Sequence, residues 1–420
     1  MIYASIKILY KYFLVLLGIL YIITPANISD VDKIFGFFFI VILIGAFLRS
    51  DVNNKCENKL NNINSGKLIF LVVIQFFCAS YAISYYTGLS IINSISNIIS
   101  GVSNYSLYQA YFSEADIGNL GIEKMPAILA LASVKIIFLY CIADFVSQVK
   151  DEKSSKLIYI TSLPIVLISL SRGTFFEIFE LIVSYGYVFF LKKSKITKLH
   201  LILLGIALLF FIILFIINTA TRFENFEAYL SLSCATSMYC FSPYGLNLII
   251  EYAVYMLSGY FSMGLFFISK YLQSLIEVPY LLTILPFFGW DIFGFLLGGL
   301  ETSLCLNKID CNAVWMPQII SIISNIGLIA TILAIYIVGI KITKIEILFL
   351  KIDIRYGIAL NILLLIYLLS LPVGKFILVS SSNILSILFF ALILGLKYIK
   401  NKYRKSCNII KRRAVIAPKI

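Results

Sequence analysis

The chain has little of what builds a water-soluble enzyme. Only 13% of its 420 residues are charged, there is one histidine, and tryptophan occurs twice. With 61% apolar residues and a mean hydropathy of +0.98 there is too little polar surface to cover a globule, which excludes a soluble fold. The lone His200 follows Lys198 at the end of an apolar run read as inner, so a histidine catalyst or metal ligand on the outer side is excluded. No Cys/His/Asp cluster has metal-ligand spacing, and no Walker loop, dinucleotide fingerprint or G-x-S-x-G elbow occurs. Neither a cofactor nor a metal is therefore expected. Internal repeats, low-complexity blocks and a soluble domain are also missing, and the first apolar run lacks the small-residue cleavage site of a signal peptide.

What remains is a series of apolar runs, long enough to cross a hydrocarbon core as helices that satisfy their own backbone hydrogen bonds. The sequence predicts an all-α, polytopic membrane protein with spans near 8–24, 33–48, 68–86, 127–149, 157–171, 174–191, 199–217, 318–340, 356–373 and 378–396. Two further apolar segments, 251–269 and 280–300, bring the total to ten or twelve. Pro279, Pro286, Gly289 and Asp291 interrupt the second of them, which favours a re-entrant pair over two clean spans.

Basic residues alternate along these runs. Lys7 and Lys11, Arg49 to Lys67, Lys150 to Lys156, Lys192 to Lys198, Lys341 to Arg355 and Lys397 to Lys419 hold most of the 34 lysines and arginines. The intervening segments carry only Lys33, Lys124, Arg172, Arg222, Lys308 and Lys375, with Lys135 inside a span and Lys270 of uncertain side. Such a bias places the basic segments and both termini in the cytoplasm, and it accounts for the net charge of +13 without a nucleic-acid partner. The resulting organisation is a helical region 1–217, an outer region 218–317 with re-entrant character, C-terminal helices 318–396 and a basic cytoplasmic tail 397–420. A second outer segment, Thr87 to Met125, is rich in Ser, Asn and Tyr. Cys234, Cys240, Cys305 and Cys311 all fall outside, where disulfides can form with three possible connectivities.

Outer cations being scarce, each is informative. Arg172 lies in the turn Ser171-Arg172-Gly173, and a guanidinium offers forked donors suited to phosphate oxygens. Glu177 and Glu180 follow on one face of the next helix and need a bundle-facing partner, for which Arg172 is near enough. Arg222 and Glu224 repeat the pairing after the seventh span, beside Phe223, Phe226 and Tyr229. Asp291 marks the break in its apolar run, and Glu251 and Glu301 are further outer carboxylates. Lys135 and Asp144, nine positions apart and so ~13 Å along one helix, cannot pair with each other and require partners from other helices.

The run from Tyr255 to Leu265 (YMLSGYFSMGL), followed by Pro286-Phe287-Phe288-Gly289-Trp290, then Trp315 and Ser324-Asn325-Ile326-Gly327, resembles the Wzy-type oligosaccharide repeat-unit polymerases, as does Ser171-Arg172-Gly173-Thr174-Phe175-Phe176-Glu177 at an outer turn. The resemblance implies a glycosyltransferase of the bacterial inner membrane. It would join undecaprenyl-pyrophosphate-linked repeat units into O-antigen or capsular polysaccharide, with membrane lipid and a chain-length regulator as partners. Arg172, Arg222, Tyr255 and Tyr260 would bind pyrophosphate and sugar, and Glu177, Glu224 or Asp291 would take the acceptor proton. Similar polymerases carry an aspartate where this chain has Asn325, so that position is not expected to act as an acid. A lipid-linked oligosaccharide flippase, an O-antigen ligase and a secondary transporter are the competing readings. A ligase would need an outer histidine, and a flippase would be expected to show paired halves.

Overall fold

The computed structural model describes residues 2–3, 5–48, 55–56, 63–100, 102, 104–114, 124–146, 159–174, 176–192, 234, 240–241, 248–277, 317–374 and 380–416. They form an all-α, multi-pass membrane protein whose helices, in chain order, are α1 (Ile6–Ile22), α2 (Asp30–Ala46), α3 (Ser65–Thr87), α4 (Ile91–Ile99), α5 (Asn104–Glu114), α6 (Met125–Ile142), α7 (Leu163–Arg172), α8 (Phe176–Lys192), α9 (Leu248–Glu277), α10 (Gln318–Ile326), α11 (Leu328–Ile352), α12 (Ile354–Ser370) and α13 (Ser381–Ile416). Two-residue strands, β1 (Ile2–Tyr3) and β2 (Lys55–Cys56), pair antiparallel beside the start of α1.

Local chemistry sets the boundaries. The Ser29 hydroxyl accepts from the Asp32 amide to begin α2, Asn64 caps α3 through the Gly66 amide, and Asp353 caps α12 through the Tyr356 amide. Gly88 and Gly173 end α3 and α7 in the left-handed region, at φ 66° and 60°. Gly327, at φ 83°, breaks the expected 318–340 span into α10 and α11, and α11 then runs on to Ile352 through what the charges mark as a basic loop.

Among the described residues four helical stretches are long and apolar enough to cross a membrane by length and composition: Ser65–Thr87, Met125–Val146, Leu328–Ile352 and Ser381–Tyr403. The expected ten to twelve are not reached among the described residues. The 199–217 and 280–300 segments lie outside the described residues. In place of the 157–171 span, α7 has ten residues and so ~15 Å of length, half the thickness of the hydrocarbon core. The Thr87 to Met125 segment is not a plain loop either, since it carries α4 and α5. The presumed basic tail continues α13 as helix to Ile416, because no glycine or proline interrupts it there.

The helices share two ends. At one, Tyr10 of α1 packs edge-on against Phe47 after α2 at 4.7 Å. Close by, Glu346 of α11 accepts hydrogen bonds from the Ser5 amide (2.8 Å), the Ile6 amide (3.2 Å) and the Tyr187 hydroxyl of α8 (2.9 Å). Asp144, just past α6, accepts from the Ile63 amide (3.1 Å) and pairs with Arg355 of α12 at 2.5 Å, while Lys397 of α13 pairs with Asp353. This is the end at which the basic segments leave the bundle, and it is called the basic end below.

At the far end α9 is laid against the α1–α2 hairpin. Ser258 bonds Thr24, and Asp32 accepts from Ser269 (3.1 Å) and Gln273 (2.6 Å) while pairing with Lys270 at 2.9 Å. Gly264 sits over the carbonyl oxygens of Pro372 and Val373, beyond α12. All these partners belong to one end, so α9 rests on that end from Ser258 to Gln273. The expected 251–269 segment is part of this continuous 30-residue helix. The core beneath it is apolar, with Leu17, Phe39, Phe138, Phe267, Ile319 and Ile366 buried together.

Candidate functional site

The turn between α7 and α8 carries the strongest candidate. Gly173 closes α7, its amide reaching the Leu170 carbonyl at 3.2 Å, and the chain reverses so that Arg172 and Glu177 face each other. Arg172 Nη1 donates to Glu177 Oε1 at 2.8 Å, and Nη2 donates to the Tyr108 hydroxyl at 3.3 Å. The Thr174 hydroxyl donates to the second oxygen of Glu177, also at 2.8 Å. The guanidinium lies over the Tyr108 ring, 5.2 Å from its centre. Both oxygens of Glu177 are thus engaged, while Arg172 Nε has no acceptor among the described residues. The pair is partly open, the Arg172 side chain being 23% exposed and that of Glu177 12%.

The site is built by three elements distant in sequence. Asn104, at the start of α5, donates to the Ser94 carbonyl of α4 (2.9 Å) and to the Leu170 carbonyl of α7 (3.1 Å), and its own carbonyl accepts from Asn97 (3.1 Å). A Cβ on Gly173 would lie 2.8 Å from the Tyr105 amide nitrogen, so α5 seats directly on the turn. Gly173→Ala is therefore expected to cost ~1–3 kcal/mol from positive φ alone, and more from displacing α5. Limited proteolysis between α4 and α5 measures the loosening, and unchanged protection would argue against this seating.

One turn deeper along α8, Glu180 pairs with Lys135 of α6 at 2.8 Å, and Lys135 also donates to Asn383 of α13. The Phe176 ring lies 5.9 Å from the ammonium. Beside them is a cavity lined by Lys135, Glu180, Ser184, Phe138 and Leu363, with room for roughly one water. The requirement that Lys135 and Asp144 find partners on other helices is met by Glu180 and by Arg355. Arg172 takes Glu177 but not Glu180, which belongs to Lys135.

The remaining candidates are dispersed. Tyr255 is fully buried with its ring 4.8 Å from Phe241, Tyr260 is half-buried on α9, and Glu251 is buried. Arg222, Glu224, Asp291, Glu301, His200, Cys305 and Cys311 lie outside the described residues. Cys234 and Cys240 form a disulfide, and the segment after them docks at the far end, the Asn27 amide donating to the Cys240 carbonyl at 2.6 Å and Phe241 bridging to Ala26. Sequence reasoning missed Tyr108, Asn104 and Asn383, and it placed Thr174 in the Ser171–Glu177 run without giving it a role. Of the missed residues only Asn383 left a signal, an amide at the mouth of a long apolar run.

The chain matches no protein-family model, no curated protein and no solved structure.

Proposed function

We propose that this chain is a polysaccharide polymerase of the Wzy kind, acting on polyprenyl-pyrophosphate-linked oligosaccharides at the outer face of a bacterial inner membrane. The observation that carries the reading is Arg172: a guanidinium fixed by Glu177 and Tyr108, its side chain 23% exposed, at the end of the bundle that has few cations. The basic end faces the cytosol by the charge bias, which turns Arg172 outward. The Cys234–Cys240 disulfide at the far end suits an oxidising compartment on that side.

In the reaction a bond forms between an acceptor sugar hydroxyl and the anomeric carbon of the growing chain, while the bond from that carbon to pyrophosphate breaks. Charge accumulates on the departing pyrophosphate, and a preorganised guanidinium stabilises it without reorganising. Glu177, with both oxygens already bonded, serves in this reading to aim Arg172. Arg222 is the second phosphate ligand, and proton removal falls to Glu224 or Asp291. Tyr260 is the better placed of the two tyrosines to meet a sugar, since Tyr255 is enclosed. A chain-length regulator is the expected protein partner.

The test is deletion followed by gel analysis of surface polysaccharide, with complementation by Arg172→Ala. Loss of polymerisation leaves single repeat units on the surface, and the variant should slow polymerisation by ~10²-fold, the loss expected for a missing charge donor, and so shift the profile toward short chains. Full-length polymer from a normally inserted Arg172→Ala protein would remove the basis of the reading. A surface bare of even single units would point to a flippase.

A further inference from the structure

The pair α4 and α5 is folded inside out for a loop in water. Beside Tyr108, its buried positions are polar: Ser94 is 1% exposed and Asn104 2%, the Ser94 hydroxyl donating to the Ser90 carbonyl and the Asn104 amide to the carbonyls of Ser94 and of Leu170 in α7. Its exposed positions include Ile92 at 78%, Ile95 at 41% and Leu107 at 39%. Around them stand Asn93, Ser96, Ser106 and Gln109, exposed but uncharged. No charged residue occurs anywhere between Lys67 and Glu114. The apolar α3 accounts for the stretch as far as Thr87, but an outer loop bathed in water has no reason to avoid charge from Gly88 to Ser113, and a hairpin in the bilayer interior would not expose amides.

A mixture of isoleucine, leucine and uncharged amide suits the boundary between headgroups and acyl chains, where amphipathic helices lie flat. The surface is also continuous with one already committed to lipid. Phe70, Val73, Phe77 and Tyr81 face outward along α3, a helix long and apolar enough to span, and α4 begins four residues after α3 ends. Tyr111 of α5 packs over Gly88 at that junction, holding the hairpin against the top of the span.

We infer that the α4–α5 hairpin is an interfacial membrane element, its Ile92, Ile95 and Leu107 face docked on the acyl chains of the leaflet opposite the basic end. The inner side of the same hairpin supplies Tyr108 to the Arg172 guanidinium and Asn104 to the turn that carries it. The Arg172 site therefore opens at headgroup depth beside a surface made for lipid tails. The occupant of that surface is the hydrocarbon of the bilayer, and the inference holds whatever reaction the site performs.

The experiment is fluorescence quenching of the full chain in phospholipid nanodiscs, with Trp290 and Trp315 replaced by phenylalanine and a single tryptophan introduced as Ile92→Trp or, separately, Leu107→Trp. Phe77→Trp, on the lipid face of α3, reports correct insertion. Lipids brominated on the acyl chain should dim both hairpin probes about twofold, close to the Phe77→Trp signal, while aqueous iodide quenches them weakly, as expected for side chains ~5–10 Å below the headgroups. Bromolipid quenching at both hairpin positions less than half that of Phe77→Trp overturns the inference. Polymer profiles do not enter the readout, so a failed hairpin and a failed polymerase assignment are told apart.

Discussion

Alanine at either Lys135 or Glu180 should be among the most damaging single changes in the chain. Each residue is buried in the bundle and is the ionic partner of the other, with Lys135 further bonded to Asn383. Removing one leaves a full charge among Phe138, Leu139 and Leu363, beside a cavity with room for only about one water. Breaking such a pair costs ~3–5 kcal/mol, whereas replacing both members by apolar residues of similar volume is close to neutral. The expectation is that Lys135→Ala and Glu180→Ala each lower the folded yield in detergent sharply, and that Lys135→Met combined with Glu180→Leu recovers most of it. Size-exclusion profiles and thermal unfolding of the four proteins close the cycle. A double variant that loses as much as the two singles added together would mean that the two side chains do not depend on each other.

The second large effect concerns close approach of backbones. A Cβ on Gly339 of α11 would lie 2.2 Å from the Ala46 carbonyl oxygen, and one on Gly264 of α9 would lie 2.4 Å from that of Pro372. In both cases the neighbour is main chain and cannot swing away, so helices must separate. Overpacking of this kind costs ~1–3 kcal/mol or more; in a membrane lipid covers the separated apolar faces, so the penalty is lost helix packing rather than exposure to water. Gly339→Ala should separate α2 from α11, and Gly264→Ala should lift α9 from the hairpin end, both seen as lower melting temperatures. Gly186 on α8 is the control: nothing approaches its Cβ position, and Gly186→Ala should stabilise the helix by up to ~1 kcal/mol. A uniform response of all three glycines would contradict the packing described.

What could be read beforehand follows from which forces act locally. Apolar runs reported helices, and the need of Lys135 and Asp144 for distant partners followed from helix rise alone. Arg172 and Glu177 were legible because a tight turn brings them together within six residues. The identity of the distant partners was not, because pairing of α6 with α8 and α12 depends on packing that hydropathy does not encode. Hydropathy also carries no direction: α9 is apolar enough to suggest a crossing, yet Thr24, Asp32 and the Pro372 carbonyl hold it at one end. The break at Gly327 was hidden because a single residue at positive φ interrupts α10 and α11 without altering the apolar count. The helical hairpin of α4 and α5 escaped notice because Ser and Asn were read as loop formers, whereas here Ser94 and Asn104 lie on its inward face.

The grip of Glu346 on the first helix has a bearing on how the protein is made. The amides of Ser5 and Ile6 open α1 and have no acceptor within it, and the carboxylate that receives them lies 341 residues later than Ser5. The tie between the start of α1 and the rest of the bundle can therefore form only after α11 has been synthesised. A product ending before α11 would lack this carboxylate, so a truncation late in the chain would be felt at the opposite end of the sequence.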